Sequence, residues 1–361
     1  FNMSVGYNLE GILEPNVQWY LDVMNDSSDY LDQYIDIVAE WYPAVRDIDI
    51  PAQLSNTITL STMHGCPPDE IEAITSYLMR DRGIHPSVKC NPTHLGPTEV
   101  RSIVNDELGY TDIVIPDEAF GHDLKYEDAI PMFRRLRALA DEKGLIFGLK
   151  LSNTLEVENH RPTFPDDEMM YMSGRALHAV TVNLALKLSS EFDGDLLLSF
   201  AGGADAYNVS DLMRSGMATI TVCSDLLKTG GYLRFPQYIE ELEAAMDKAD
   251  ASTLAEFSSD ALDELRIYAT EVRKEWRYKK HSFRTHQSKT DRKLGLFDCI
   301  EAPCVDECPV SQDVPAYMRA VREGRMDDAV DITRKDNPVS AILGRVCDHL
   351  CETTCIRTHL D

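Results

Sequence analysis

Six cysteines crowd into the last 63 residues of this 361-residue chain and form two spaced groups. The first group has the spacing C-x4-C-x3-C and ends in a Cys-Pro pair, and the second, 38 residues later, has the spacing C-x3-C-x3-C. Thiolates bind both zinc and iron–sulfur clusters, but structural zinc takes four ligands per ion, whereas a Cys-Pro ending is typical of cluster-binding groups. The spacing favours iron–sulfur clusters, with zinc and a buried helical stripe of thiols as alternatives. The six are Cys299, Cys304, Cys308, Cys347, Cys351 and Cys355.

Three residues further upstream have side chains suited to catalysis. Cys66 precedes the sequence PPDE, which predicts a helix start, and His64 lies two residues before it. A thiol in this position can be tuned for acid–base work, although a structural cysteine is an equal alternative. Lys89 (in VKCNPT) and Lys150 (in GLKLSNT) occupy similar predicted strands. Either lysine can face a bound ligand, or extend its ammonium group to solvent.

Short β-rich runs that alternate with amphipathic stretches must position these residues. The alternation is typical of a parallel sheet, with helix-like segments at 68–80 and 175–188. A doubly wound sheet and a (β/α)8 barrel both fit, but no run leads into a clean G-x-G-x-x-G helix start, which favours the barrel. We therefore expect an α/β fold with a (β/α)8 barrel that is incomplete at its N-terminus. The predicted strands are residues 1–7, 57–61, 87–91, 112–115, 146–152, 196–200 and 219–223.

The charge divides the chain. Residues 266–293 carry ten basic and three acidic side chains, a net charge of +7. Because the whole chain carries −26, the remaining residues carry −33. Such a stretch could steer an anionic partner, but a solvated helix running into a linker is the simpler interpretation. We predict a barrel portion over 1–260, a basic helical linker over 261–293 and a truncated helical iron–sulfur domain over 294–361.

The overall composition excludes several classes of function. A net charge of −26 repels phosphate backbones and anionic lipids, which argues against nucleic-acid and membrane-surface roles. No apolar run approaches the ~18 residues that span a bilayer, and no leader opens the sequence. We predict a cytoplasmic protein with reduced cysteines. Because the sequence starts with Phe1 and stops soon after its last cysteine, we expect a piece of a longer chain.

Residues 299–361 resemble the helical double-cluster domain of dihydropyrimidine dehydrogenase and of the glutamate synthase small subunit. The shared features are the Cys-Pro, a later Asn337-Pro338 and the stretch GRVC that ends at Cys347. The resemblance implies two [4Fe–4S] clusters, each one ligand short here. Leu296 stands where the relatives have a further cysteine, so either a group such as Asp298 substitutes or that cluster is altered or lost. The implied sets are Cys299, Cys304 and Cys355 for one cluster, and Cys308, Cys347 and Cys351 for the other.

The upstream region resembles the flavin barrels of dihydropyrimidine dehydrogenase and dihydroorotate dehydrogenases. The stretch 196–231 looks like the last two βα units of those barrels, whose turns hold the flavin phosphate. An ordinary tight turn is the alternative for its Gly-Gly pair. The resemblance also implies that Lys89 or Lys150 lies against the flavin, that Cys66 donates a proton, and that Asn153 and Thr154 face the substrate. The residues in the phosphate-holding places are Gly202, Gly203, Cys223 and Ser224.

Over nearly its whole length, the chain resembles a family of bacterial flavin and iron–sulfur subunits described as selenate reductase subunits. SVGYNLEGI, YMSGRALH and DCIEAPCVDECP carry this resemblance. It implies an electron-transferring oxidoreductase: FAD and NAD(P)H on a downstream part, two clusters, and a barrel site that holds FMN. Partners would be other redox domains or subunits, such as a molybdenum enzyme, with a small-molecule or anionic substrate. The alternatives are a barrel scaffold without flavin that docks the cluster domain to partners, and a zinc-stapled interaction protein.

Overall fold

The computed structural model describes residues 2–6, 8–61, 66–160, 167–227, 231–282 and 302–355. It divides into two compact units: residues 1–158, 169–225 and 232–280 form the first, and residues 159–168, 226–231 and 281–361 the second. The first unit runs past residue 260, where the sequence analysis begins a linker, and the predicted domain boundaries stay a prediction. Cys299 and His64 lie outside the described residues, as do Leu296 and Asp298.

The first unit is built on six parallel strands that follow one another in chain order. The strands lie in the sheet in the order in which they occur in the chain, and every neighbouring pair is parallel. A doubly wound sheet would reverse its order at a switch point, whereas a (β/α) barrel keeps chain order. The strand order therefore confirms the barrel-type α/β fold. The six strands are β1 (Met3–Val5), β2 (Thr57–Leu60), β3 (His85–Cys90), β4 (Gly148–Leu151), β7 (Leu197–Phe200) and β8 (Met217–Ile220).

Six of the seven predicted strands are confirmed, and the prediction of a strand over residues 112–115 is wrong. Strands β3 and β4 pair directly, so the sheet has no place for another strand between them. Val114 instead accepts a hydrogen bond at its carbonyl oxygen from the Glu158 amide, at 2.9 Å. The first unit also contains an antiparallel hairpin, which the sequence did not predict. Its strands are β5 (Leu155–Glu158) and β6 (Met169–Met172).

The helices of the first unit include the predicted helix over residues 68–80. Pro68 occupies its first turn, two acidic residues follow, and Ile71, Ile74 and Leu78 form a buried stripe. This is the arrangement that favours a helix N-terminus and an amphipathic face. The α-helices are α1 (Leu9–Ile12), α2 (Pro15–Asn25), α3 (Ser28–Ala39), α4 (Pro68–Arg80), α5 (Pro97–Arg101), α6 (Glu118–His122), α7 (Tyr126–Lys143), α8 (His178–Glu191), α9 (Val209–Arg214), α10 (Phe235–Lys248), α11 (Leu254–Phe257) and α12 (Ala261–Glu271).

Short helical segments connect these elements in the first unit. A π-helix covers Ser102–Glu107 and continues from α5. Helices α4 and α8 lie against the sheet, and α12 packs on α8 and α9. The 3-10 segments are Pro43–Asp47, Pro92–Leu95, Gly174–Leu177, Gly231–Arg234, Trp276–Tyr278 and Lys280–Ser282, the last of which continues into the second unit.

The two faces of the parallel sheet differ in chemistry because side chains alternate along each strand. One face carries fully buried apolar side chains, such as those of Ile58, Val88 and Leu149. The other face, which we call the inner face, keeps polar side chains partly accessible. These are Ser4, Ser87, Lys89, Lys150, Ser199 and Thr219.

The second unit has a small apolar core in its described part. Helices α14 (Val314–Arg322) and α15 (Met326–Asp336) pack together. Helix α13 (Pro303–Asp306) packs on α17 (Leu350–Thr353). Helix α16 (Ser340–Leu343) follows α15 in the sequence. Among residues 302–355, the buried apolar side chains are those of Ala320 and Ala329. Domains with so little apolar burial commonly depend on metals or disulfides for stability.

No helix within the described ranges has the length and apolar character needed to cross a bilayer.

Candidate functional site

Two lysines lie side by side on the inner face of the sheet. Lys89 of β3 and Lys150 of β4 are register partners, and Ser199 of β7 is the next residue in the same row. Both lysines are half-buried. Burial lowers the pKa of Lys89, and the charge of Lys150 lowers it further; burial also lowers the pKa of Lys150. The sequence presents the two lysines as competitors for one role, whereas the structure places them together.

Neither ammonium group is neutralised within the described part of the chain. No described carboxylate forms an ion pair with Lys89 or Lys150. Two adjacent half-buried cations cost free energy, both by desolvation and by mutual repulsion. A bound anion would relieve both costs, so this part of the inner face suits an anionic ligand.

The carboxyl ends of β3 and β4 place the predicted substrate-side residues next to the lysine pair. The Asn153 amide donates to the Cys90 carbonyl oxygen at 2.9 Å, which extends the pairing of the two strands. The Asn153 side chain accepts a hydrogen bond from the Thr154 amide at 3.0 Å, so its oxygen is fixed on its own turn. Asn153 and Thr154 are both half-buried. In parallel sheets, ligands bind at this edge.

Cys66 stands two residues before α4, as the sequence analysis expects. Burial raises the pKa of its thiol, and the charges of Glu70 and Asp69 raise it further. The two acidic residues in the first turn of α4 therefore oppose the thiolate that a helix N-terminus would otherwise favour. A thiol that stays protonated at neutral pH is suited to donating a proton rather than to nucleophilic attack.

The Gly202-Gly203 turn after β7 fits tightly against its neighbours. A Cβ atom at Gly202 would lie 2.7 Å from Thr181 Oγ1, and one at Gly203 would lie 2.5 Å from the Arg175 backbone. Gly203 also has a φ of +75°, a left-handed conformation. Close packing alone therefore requires glycine at both positions. Among the described residues, neither glycine amide has a hydrogen-bond acceptor, so both remain able to bind a phosphate group.

The turns after β6, β7 and β8 meet at one place. Gly203 contacts the Gly174–Arg175 backbone, and a Cβ atom at Gly174 would lie 2.9 Å from Ser224 Oγ. Ser224 and Cys223 follow β8 and are exposed. The structure thus brings Gly203 and Ser224, two of the predicted phosphate-holding residues, to the same group of turns.

A buried polar network behind the Gly-Gly turn escaped the sequence analysis. His178 stacks on the Tyr278 ring at 4.5 Å, and its ring nitrogens lie 2.8 Å from the Gly202 carbonyl oxygen and 2.7 Å from the Tyr268 hydroxyl. Burial lowers the pKa of His178 to about 3, so the ring is neutral. This network fixes the turn that carries Gly202. The residues are far apart in sequence, and a lone His or Tyr gives no signal of such a contact.

Basic residues after α12 form part of the first unit rather than a solvated face. Arg277 pairs with Asp205 at 2.6 Å, beside the same network. Arg273 donates to Glu99 at 2.5 Å and also binds Glu107. The sequence signal was the dense run of positive charge, and Arg273 and Arg277 each bind an acidic residue more than 70 positions away in the chain.

The described cysteines of the second unit gather around α13 and α17. Cys304 lies in α13 and Cys351 in α17, with Cys347 before that helix and Cys355 after it. Burial and then the charge of Cys355 raise the pKa of Cys304. Burial, followed by Cys347 and Cys308, raises the pKa of Cys351. The neighbours of Cys351 belong to its own implied set, whereas those of Cys304 include Cys355 from its own set and Cys351 from the other.

The described thiols of the second unit lie on or beside α13 and α17, and thiolates are the ligands that hold iron–sulfur clusters. Among the described residues, no three His, Cys, Asp or Glu side chains converge as the ligands of a single metal ion do.

Comparisons with known proteins agree with this architecture. Residues 1–280 match the family described as oxidoreductase YgfK, N-terminal TIM-barrel domain, and residues 273–360 match dihydropyrimidine dehydrogenase domain II, 4Fe-4S cluster. The second match confirms the expected resemblance of the cysteine region. A solved structure, ligand-free dihydroorotate dehydrogenase from Eimeria tenella, is 16% identical with a TM-score of 0.35 and covers 63% of this chain and 68% of its own.

Two curated relatives show how the chain is related to longer proteins. Oxidoreductase YgfK of Escherichia coli (strain K12) is 40% identical over 384 residues, which cover 100% of this chain and 36% of that protein. The NADPH-Fe(3+) oxidoreductase subunit beta of Geobacter sulfurreducens (strain DL-1 / KN400) is 47% identical over 66 residues, 18% of this chain and 10% of that protein. The chain thus spans about a third of the length of oxidoreductase YgfK of Escherichia coli. It belongs to the family of oxidoreductase YgfK N-terminal TIM-barrel domains and carries a 4Fe-4S domain after the barrel.

Proposed function

We propose that this chain is the part of an oxidoreductase that exchanges electrons between a flavin on the barrel and [4Fe–4S] clusters in the second unit. The observation that carries the proposal is the Lys89–Lys150 pair on the accessible inner face, in a chain that also holds a 4Fe-4S domain. Paired cations favour a group that becomes anionic on reduction. FMN would supply hydride and single-electron chemistry at this place.

Different residues of the first unit would bind different parts of FMN and of the substrate. Gly202, Gly203, Cys223 and Ser224 would bind the phosphate, with support from the convergence of their turns. Lys89 and Lys150 would stabilise negative charge on the ring system. Asn153 and Thr154 would orient the substrate at the edge of the sheet.

Cys66 would act as the proton donor. Its raised pKa keeps the thiol protonated at neutral pH. Substrate reduction takes up protons as well as electrons, so a protonated donor near the flavin completes the reaction.

In the second unit, Cys299, Cys304 and Cys355 would bind one cluster, and Cys308, Cys347 and Cys351 the other. The gathering of the described cysteines around α13 and α17 supports these sets. We propose that FAD and NAD(P)H bind elsewhere in the longer protein and exchange electrons with the clusters, in a cytoplasmic protein. Other redox subunits, such as a molybdenum enzyme, would be partners, and a small anion such as selenate is a candidate substrate.

Cofactor analysis of the anaerobically purified full-length protein tests the proposal. We expect about eight iron atoms with matching acid-labile sulfide per chain, and bound FMN. Zinc without sulfide would contradict the cluster assignment. A well-folded protein with clusters but no FMN would contradict catalysis on the barrel and would favour a docking scaffold.

A further inference from the structure

Helix α3 has an apolar side that no other part of the described chain covers. The helix has no buried residue, and its contacts are mainly with the 3-10 segment Pro43–Asp47 that follows it. Its half-buried side is formed by Leu31, Ile35 and Ala39. The outward stripe follows the i, i+3, i+4, i+7 spacing of a helix face. It consists of Tyr34 (58% exposed), Ile37 (46%) and Val38 (43%) of α3, and continues to Trp41 (85%), two residues beyond the helix end; we call these four residues the α3 stripe.

The exposed apolar surface continues onto the neighbouring elements. Tyr42 and Ile48, after the helix, are 54% and 50% exposed. Trp19 of α2 is 53% exposed and donates a hydrogen bond from Nε1 to the Tyr30 hydroxyl at 3.1 Å. Large, rigid aromatic side chains of this kind are the usual energetic anchors of protein interfaces.

Acidic side chains line the next face of α3. They recur at positions 29, 32, 36 and 40, and all four residues are exposed. Arg46 pairs with Asp36 at 2.7 Å, and no described basic residue forms an ion pair with the other three. Residues 10–49 contain ten acidic residues and Arg46 alone among Lys and Arg, a net charge of −9. That is about three times the average charge density of the chain.

We infer that the α3 stripe is a docking surface for a partner protein that presents an amphipathic helix with an apolar ridge flanked by Lys or Arg. The apolar ridge would pack on the four stripe residues, and its flanking cations would meet Asp29, Asp32 and Glu40. Complementary charge speeds association and excludes wrong partners. A second copy of this chain is disfavoured because it would place −9 against −9, and the same charge repels anionic lipid surfaces.

Designed peptides test the inference on the full-length protein. The probe is a 20-residue helical peptide with leucines at the i, i+3, i+4, i+7 positions and lysines on both flanks. Its matched control carries glutamates in place of the lysines. Binding is followed by tryptophan fluorescence and by calorimetry at two salt concentrations, because Trp41 lies within the stripe. Analytical ultracentrifugation of the protein alone measures self-association.

Two sets of variants locate the binding. The stripe variant Ile37→Ser/Trp41→Ser removes exposed apolar groups, and the charge variant Asp29→Asn/Asp32→Asn/Glu40→Gln removes exposed acids. The control Glu240→Gln/Glu241→Gln/Glu243→Gln removes the same number of exposed acids from α10. All the substituted residues are exposed, so folding is expected to be retained, which circular dichroism checks.

The inference predicts that the lysine-flanked peptide binds and that the glutamate-flanked peptide does not. The stripe and charge variants should each weaken binding at least about tenfold, whereas the α10 control should leave it unchanged. Equal losses in the α3 and α10 charge variants would overturn the inference, since they would show attraction to net charge only. Failure of the lysine-flanked peptide to bind, or dimerisation abolished by the stripe variant, would also overturn it.

Discussion

At the scale of single residues, the proposed barrel site depends on two positive charges that no described carboxylate compensates. Lys89 and Lys150 share one row of the inner face, and burial lowers the pKa of both. The sequence predicted each lysine from its strand context but left them as competitors. The register that places them side by side depends on the pairing of strands 61 residues apart, which local patterns do not encode.

Replacing either lysine should weaken the proposed flavin site. We predict that Lys89→Met and Lys150→Met each weaken FMN binding by about tenfold or more, because each removes a charged contact worth roughly 1.5–3 kcal/mol. The potential of the bound flavin should also become more negative, since its reduced, anionic form loses stabilisation. Fluorescence titration of the FMN-depleted full-length protein and a spectroscopic redox titration measure these effects.

Lys187 offers a matched control for this experiment. It is also half-buried with a pKa lowered by burial, but its ammonium group donates to the His94 carbonyl oxygen at 2.9 Å and lies 3.7 Å from the centre of the Tyr126 ring. Lys187→Met should reduce stability without changing FMN affinity or potential. Equal effects in all three variants would show that the lysines act through folding.

The buried histidines predict a stability that depends on pH. The pKa of His178 is lowered to about 3 and that of His94 to about 4, in both cases mainly by burial. Between these values and ~6.5, the unfolded chain binds protons that the folded chain does not. The free energy of unfolding should therefore be insensitive to these groups above pH ~6.5 and should fall as the pH drops below it.

Urea unfolding of the first unit between pH 6 and 5 measures this dependence. Each neutral buried histidine contributes up to about 1.4 kcal/mol per pH unit. His178→Gln and His94→Gln should each reduce the slope by about that amount, whatever their effect on stability at pH 7. Slopes that match the wild type in both variants would contradict neutral burial.

At the scale of secondary-structure elements, the sequence predicted the strands and the helix that local residue patterns specify. Six strands and the helix α4 follow from β-rich runs and from an amphipathic stripe behind a proline. The predicted strand over residues 112–115 does not form, because a strand must pair with a neighbour that has a free edge. Strands β3 and β4 pair with each other and leave no free edge between them. The network of His178 was missed because it joins segments that are distant in the chain. The hairpin of β5 and β6 was also missed, although its two strands are separated by only residues 159–168.

The residues that follow α12 also make contacts that local sequence patterns did not predict. The basic run was interpreted as a solvated helix and linker, yet Arg273 binds Glu99 and Glu107 and is only 24% exposed. These contacts join the end of α12 to α5 and the adjoining π-helix. Charge-assisted hydrogen bonds of this kind stabilise more than exposed pairs do.

Arg273→Met should therefore destabilise the first unit by roughly 1.5–3 kcal/mol. Arg266 is the control, because its partner Asp263 lies in the same helix and the two side chains are 53% and 76% exposed. Arg266→Met should cost only about 0–0.5 kcal/mol. Urea denaturation at pH 7 compares the two, and equal losses would show that the Arg273 contacts add nothing in solution.

At the scale of the whole molecule, the two units have different sources of stability. The first has an extensive apolar core around a parallel sheet, whereas the described part of the second buries few apolar side chains and gathers thiols. The cysteine spacing indicated iron–sulfur clusters because ligand spacing is a local property, and the match of residues 273–360 to a 4Fe-4S domain agrees with it. A barrel and a 4Fe-4S domain in one chain match the family, and the chain spans 36% of oxidoreductase YgfK of Escherichia coli.

The central claim is that a flavin on the barrel and the clusters of the second unit exchange electrons. The most direct test mixes the oxidised full-length protein with NADPH and follows flavin absorbance and freeze-quenched cluster EPR signals together. We predict that both centres become reduced in the wild type, and that Lys89→Met/Lys150→Met loses the barrel flavin while its clusters are still reduced. Clusters that become fully reduced beside a barrel flavin that stays oxidised, or a wild-type barrel that holds no flavin, would contradict the claim.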